Sequence, residues 1–193
     1  TAFGALQGLV HAVDGKDRYT RLHSEAVTDA ALLLAKQLDL STDVCGALRV
    51  AGLLHDVGKI GIPDQILRKP GRLTGDEYRI MQQHVTLSEL MIKEVPHLVD
   101  VLSAVASHHE RYDGDGYPRG LKGEEIPLMG RIMAIADACS AMLLDRPYRK
   151  GMLWSEVKTE LLRGSGTQFD PELVAPFIDA IERSDYLRRL QLG

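Results

Sequence analysis

The stretch VAGLLHDVGK (50–59) decides how this chain is read. An apolar helical run, Val50 to Leu54, ends in an imidazole and a carboxylate, His55-Asp56, and Gly58 then breaks the pattern. Flanked by Leu53, Leu54 and Val57, Asp56 is expected to be buried, and a buried carboxylate needs a cation or a metal. Working outward, His23 lies upstream, while His84, the adjacent His108-His109 and Asp137 follow downstream. Imidazole and carboxylate hold divalent transition metals without thiolate help. Seven such ligands are too many for one ion. They suit two metals sharing a bridging carboxylate, an arrangement used to hydrolyse phosphate esters, and Asp56 is the candidate bridge.

Each residue also has a plainer explanation. A lone helical histidine is more often a surface or satisfied core residue, so the argument rests on the set; His11 and His97 fall outside it. Asp137 follows the apolar run Ile132–Ala136, a poor place for an uncompensated charge. A salt bridge is the alternative for either aspartate. Lys59, three residues past Asp56, is placed either to pair with it or to reach a substrate phosphate.

The 193 residues, 45% hydrophobic and 26% charged, predict one globular domain spanning 1–193. A net charge of −4 argues against DNA or RNA as a partner, which would require a surplus of basic residues on one face. Cys45 and Cys139 form no zinc set and are expected to be buried thiols in a reducing compartment, which makes the expected location cytoplasmic. No apolar run approaches the roughly 18 residues of a membrane span. The chain opens on an uncapped apolar stretch (Phe3, Leu6, Leu9, Val10). This predicts a linker helix over 1–16, entering from an upstream sensor or receiver domain and able to pair in a homodimer.

Helical periodicity runs through nearly the whole sequence, and strand alternation is absent, so the expected fold class is all-α. Helices are predicted over 1–13 and over 17–38, the latter with Leu22, Val27, Leu32 and Leu33 on its apolar side. A third begins at Ser41 or Thr42 and ends at His55-Asp56. Thr74-Gly75-Asp76-Glu77 is a capping box that starts the helix leading to His84. A further helix from about Pro96 ends at His108-His109. Residues 110–127 are dense in glycine and proline and form a long loop, which in a compact helical domain is usually functional. Residues 130–144 carry Asp137 on another helix. Asp170-Pro171-Glu172 starts the last one, which runs to about Arg183.

HDVGK (55–59) followed by HHERYDGDGYP (108–118) resembles the HD-GYP domain, a subgroup of the HD metal-dependent phosphohydrolases. DRYTRLH (17–23), KPGRLTGDEYRIMQQH (69–84), RIMAIADA (131–138), RPYR (146–149) and GTQFDPELV (166–174) extend the likeness over essentially the whole chain. The resemblance implies a compact helical bundle of the HD-domain type that serves bacterial signalling. Its implied reaction is hydrolysis of the 3′–5′ phosphodiester of cyclic di-GMP to pGpG and onward to GMP. By position, His23, His55, Asp56 and Asp137 would hold one metal, and Asp56, His84, His108 and His109 the other. Mixed nitrogen and oxygen ligation favours iron or manganese over tetrahedral zinc. A water activated between the metals would be the nucleophile, with Lys59 stabilising phosphoryl charge beside Asp56.

Two departures from the family pattern stand out. Tyr19 replaces the glutamate that holds a third metal in some members, so two metals are expected. Ser140 stands where many members have a second aspartate, which bears on metal preference and rate. Arg146 and Arg149 match positions that face the ligand, or else form a solvated helix end. Tyr117 either stacks on a guanine or packs the loop. The loop itself walls the substrate site or docks a diguanylate cyclase domain. Two other functions fit the same residues: a catalytically weak or inactive module that senses cyclic di-GMP or a protein, and an HD-type hydrolase for a different phosphoester.

Overall fold

The computed structural model describes residues 4, 8, 10–13, 15, 19–95, 98–145 and 149–192. Helix α1 (Tyr19–Gln37) contains no glycine or proline and is rich in alanine and leucine, the best helix formers. It ends in a turn where Asp39 takes a left-handed φ of 52°. Ser41 then caps α2 (Thr42–Leu54) by accepting the Val44 amide. After His55-Asp56 the chain tightens into a 3-10 turn, Val57–Gly61, followed by short α3 (Asp64–Leu67). The capping box at Thr74 and Glu77 opens α4 (Gly75–Ile92). Next come α5 (Val99–Ser107), the glycine-rich loop with a 3-10 turn at Gly123–Glu125, and α6 (Leu128–Leu143). Helices α7 (Trp154–Arg163), α8 (Pro171–Glu182) and α9 (Tyr186–Leu192) complete the order. Asp170 caps α8, its side chain accepting the Glu172 amide.

The core centres on α1, whose Val27, Ala30, Ala31 and Leu34 are wholly buried. They belong to one cluster with Leu48 and Ala51 of α2, Ile132, Met133, Ile135 and Ala136 of α6, and Phe177 and Ile181 of α8. Each large aliphatic side chain so buried contributes about 1.5–3 kcal/mol. Two close approaches set the site. At Gly52, a Cβ would sit 2.2 Å from Thr28 Oγ1, which lets α2 lie directly on α1. At Gly58, a Cβ would sit 2.1 Å from the His84 carbonyl oxygen, so only glycine lets the HD turn pack against α4.

Among the described residues there is no strand, only an isolated bridge between Ser165 and Phe169. No described helix is long and apolar enough to cross a membrane. Several expectations shift. Leu22 is 41% and Leu53 40% exposed, so neither lies on its helix's buried face. Cys139 is buried but Cys45 only partly so. Pro96 lies outside the described residues, and α5 begins at Val99. Of the expected linker helix, residues 4, 8, 10–13 and 15 are helical and the rest lies outside the described residues, as does the side chain of Tyr19. Helices α3, α7 and α9 had no prediction. The first spans four residues, and α7 shows only Val157 and Leu161 as its buried signal.

Candidate metal centre

His23 comes from α1, His55 caps the C-terminus of α2, His84 lies in α4, His108 caps α5 with His109 next, and Asp137 comes from α6. Five segments far apart in sequence thus deliver their polar ends to one place. His84, His108 and His109 offer ligand atoms all within 4.8 Å of one another; so do His23, His55 and Asp137, and so do His55, Asp56 and His108. Asp56 lies between the first two groups. Its Oδ2 is 3.4 Å from His55 Nε2 and its Oδ1 is 3.4 Å from His84 Nε2. Across the cluster, His23 Nε2 meets Asp137 Oδ1 at 2.9 Å.

Three of the imidazoles share one local device. His55 Nδ1 contacts the Gly52 carbonyl at 2.8 Å, His84 Nδ1 that of Met81 at 2.7 Å, and His108 Nδ1 that of Val105 at 2.7 Å. Each partner lies three residues back, on the preceding helical turn. A carbonyl only accepts, so Nδ1 carries the proton in each ring and the Nε2 lone pair points inward. The Nε2 atoms of His55, His84 and His108 are buried and make no hydrogen bond among the described residues. Buried polar atoms are rarely left so, and carbonyl-anchored imidazoles with Nε2 exposed to a common centre are the usual form of a metal ligand. The donor set of imidazoles and carboxylates therefore fits divalent transition metals.

Electrostatics agree with this. Burial holds His108 and His109 below the ordinary imidazole range and brings His84 down to about 4, so all three are neutral at physiological pH. Burial pushes the Asp56 carboxyl up, but Lys59 and the imidazoles of His55, His84 and His23 outweigh it and hold Asp56 well below its usual value. Asp137 is held low as well: burial raises it, and the His23 hydrogen bond together with the neighbouring His23, His109 and His55 imidazoles outweighs burial. Lys59 Nζ lies 2.6 Å from Asp56 Oδ2, partly exposed at the edge of the cluster.

Sequence reasoning missed two supports. Ser88 is wholly buried one turn after His84; its hydroxyl accepts the Gly58 amide at 2.8 Å and donates to the His55 carbonyl at 3.0 Å. It staples the HD turn to the helix of the facing ligand. Glu110, 2% exposed, accepts the Arg119 amide at 2.7 Å and the Leu121 amide at 3.0 Å. Those bonds fold the glycine-rich loop back, and Tyr117 stacks on His109 with ring centres 4.9 Å apart. Tyr117 therefore packs against a candidate ligand. Arg149 donates to the Ala141 carbonyl at the end of α6, and Arg146 lies outside the described residues. Ser140 is wholly buried and hydrogen-bonded to Tyr186.

Fold and cluster together define a helical domain built around a histidine–aspartate metal-binding centre. The HD domain family matches residues 11–173, and the chain belongs to that family, with the two segments that mark its HD-GYP branch. A cyclic di-GMP phosphodiesterase from Thermotoga maritima is 39% identical over 178 residues, 91% of this chain and 48% of the relative. The 3′3′-cGAMP-specific phosphodiesterase 1 of Vibrio cholerae is 43% identical over 149 residues, 77% of this chain and 35% of the relative. The chain thus spans less than half the length of either relative. A solved structure of an HDG"Y"P protein from Bdellovibrio bacteriovorus matches with a TM-score of 0.68 at 18% identity, covering 83% of this chain and 51% of that one. At that identity the likeness speaks for the fold.

Proposed function

We propose that this chain is a metal-dependent cyclic di-GMP phosphodiesterase domain, opening the cyclic dinucleotide to pGpG with GMP as the further product. The observation that carries the reading is Asp56 set between two groups of ligands, each oxygen 3.4 Å from a buried imidazole nitrogen that makes no hydrogen bond among the described residues. Under this proposal His23, His55, Asp56 and Asp137 hold one divalent ion, and Asp56, His84, His108 and His109 the other, with iron or manganese as the metals. When bound, such a pair supplies an activated water and neutralises phosphoryl charge. The chain's own residues do the rest. The carbonyl-anchored imidazoles fix the geometry before substrate arrives. Lys59, at the edge of the cluster, takes a phosphoryl oxygen and stabilises developing charge. Arg146 and Arg149 engage phosphate or a guanine edge through paired hydrogen bonds. Tyr117 holds the His109 ring. In the longer protein, an upstream sensor or receiver domain, a homodimer through the N-terminal helix, a diguanylate cyclase domain on the glycine-rich loop and a cytoplasmic setting belong to the same proposal.

A second substrate has a specific observation behind it: the Vibrio cholerae relative named for 3′3′-cGAMP is 43% identical, so overall similarity does not choose the second base. The test is to purify the protein anaerobically, add iron(II) or manganese(II), and follow cyclic di-GMP and 3′3′-cGAMP separately by chromatography. Faster loss of cyclic di-GMP is expected. Faster loss of 3′3′-cGAMP would reassign the substrate, and binding of either without turnover under every metal would make the domain a sensor.

A further inference from the structure

Beyond the ligands, one buried hydroxyl ties together the two helices that carry His23 and Asp137. Tyr186 opens α9 and is 1% exposed. Its hydroxyl donates to the Ala26 carbonyl of α1 at 3.1 Å and lies 3.0 Å from Ser140 Oγ of α6. The Tyr186 proton is committed to a carbonyl that can only accept, so Ser140 donates to the Tyr186 oxygen. Ala26 stands three residues after His23, and Ser140 three residues after Asp137. The Ser140–Tyr186–Ala26 chain therefore joins α6 to α1 about one helical turn from the place where Asp137 and His23 meet at 2.9 Å. The other buried hydroxyl beside the cluster, Ser88, ties the HD turn to α4 and does not reach α1 or α6. His84 and His108 are carried by α4 and α5, which this hydroxyl does not touch, and their rings are fixed by carbonyls of their own helices.

We propose that Tyr186 is a positioning residue for the metal centre: through Ser140 and Ala26 it sets the spacing of α1 and α6, and with it the bite of His23 and Asp137 on one of the two ions. Where the family pattern often has a carboxylate, this chain uses Ser140 as a structural donor, which makes its C-terminal helix part of the ligand scaffold. The inference rests on the dinuclear reading above.

The test is metal affinity. Wild type, Tyr186→Phe and Ser140→Ala are dialysed against a chelator and titrated with manganese(II) by calorimetry at 20 °C, with thermal melts run alongside. Wild type is expected to take up two ions. Both variants are expected to bind one ion about tenfold more weakly, the range typical of lost outer-shell support, and the other ion as in wild type. If both dissociation constants match wild type while only the melting temperature falls, Tyr186 merely packs the core and the inference is overturned. Should Tyr186→Phe fail to fold, Ser140→Ala decides alone by the same criterion. Wild-type protein that takes up no ion overturns the dinuclear reading itself, a different result from two ions bound equally well by all three proteins.

Discussion

Asp56 is where the chemistry concentrates. It is 3% exposed, and the Lys59 ammonium beside it is the largest influence holding its carboxyl low against burial. Asp56→Asn keeps the shape and removes the charge between the two ligand groups. It is expected to weaken manganese binding by more than about 100-fold, beyond the loss typical of outer-shell changes, as read by metal content after gel filtration. Ser88 is the other telling residue. Ser88→Ala leaves the Gly58 amide and the His55 carbonyl without this partner, and a buried polar group stranded so costs about 1–3 kcal/mol. A lower denaturant midpoint with an unchanged slope would register it; an unchanged midpoint would mean that the staple carries no weight. The two residues differ in how visible they are beforehand. Asp56, Asp137, His55 and His84 stand out because each lies in or beside an apolar segment, and His108-His109 because the pair closes a helix before a glycine-rich loop. Ser88 is an ordinary helical serine in the sequence, and only the packing of the HD turn on α4 gives its hydroxyl two partners.

At the level of elements, the glycine-rich loop folds back on one buried carboxylate, while its first residues are tied to the segment before α8 by the Tyr112 and Asp113 amides, which donate to the Gln168 and Thr167 carbonyls. Glu110 accepts two backbone amides, and Gly116 packs so closely that a Cβ there would lie 2.2 Å from the Arg111 amide nitrogen. Glu110→Gln retains one accepting oxygen and replaces the other with a donor facing a donor. Amide hydrogen exchange at Arg119 and Leu121 is expected to accelerate at least tenfold, while exchange in α1 and α6 stays unchanged. Equal protection in the variant would show that the loop is held by other contacts. The loop's length and composition marked it as functional in the sequence. Its anchor was hidden, because a glutamate beside paired histidines looks like a solvated helix end until its neighbours fold over it. Helices α7 and α9 stayed hidden for a related reason. Among the described side chains each buries few, Val157 and Leu161 in one and Tyr186 in the other, so periodicity carries little signal. The capping residues, by contrast, were legible: Thr74 with Glu77, and Asp170 before Pro171, start helices where their chemistry says they should.

Across the whole molecule, the cluster makes stability depend on pH. His84, His108 and His109 have depressed folded-state values, that of His84 at about 4, against about 6.5 in an unfolded chain. Between those values the unfolded chain binds protons that the folded one does not, so stability rises with pH there and is lost as pH falls below about 6.5. Asp56 and Asp137, also held low, extend the loss below about 4, where their unfolded carboxyls take protons that the folded ones refuse. Chelator-treated protein should therefore unfold at a lower denaturant concentration at pH 5 than at pH 7; an equal or higher midpoint at pH 5 would contradict the burial of neutral imidazoles. The all-α architecture and the identity of the converging residues were readable from the sequence, since helical periodicity and misplaced polar groups are local signals. The gathering of five segments at one point is a property of packing, set by close approaches such as Gly52 on Thr28 and Gly58 on α4. The most direct test of the account is an anomalous difference map from crystals grown with manganese(II). Two peaks are expected about 3.5–4 Å apart, one on each side of the Asp56 carboxylate, with His23, His55 and Asp137 around one and His84, His108 and His109 around the other. A map without peaks at these side chains, or with a lone ion that Asp56 does not touch, would contradict it.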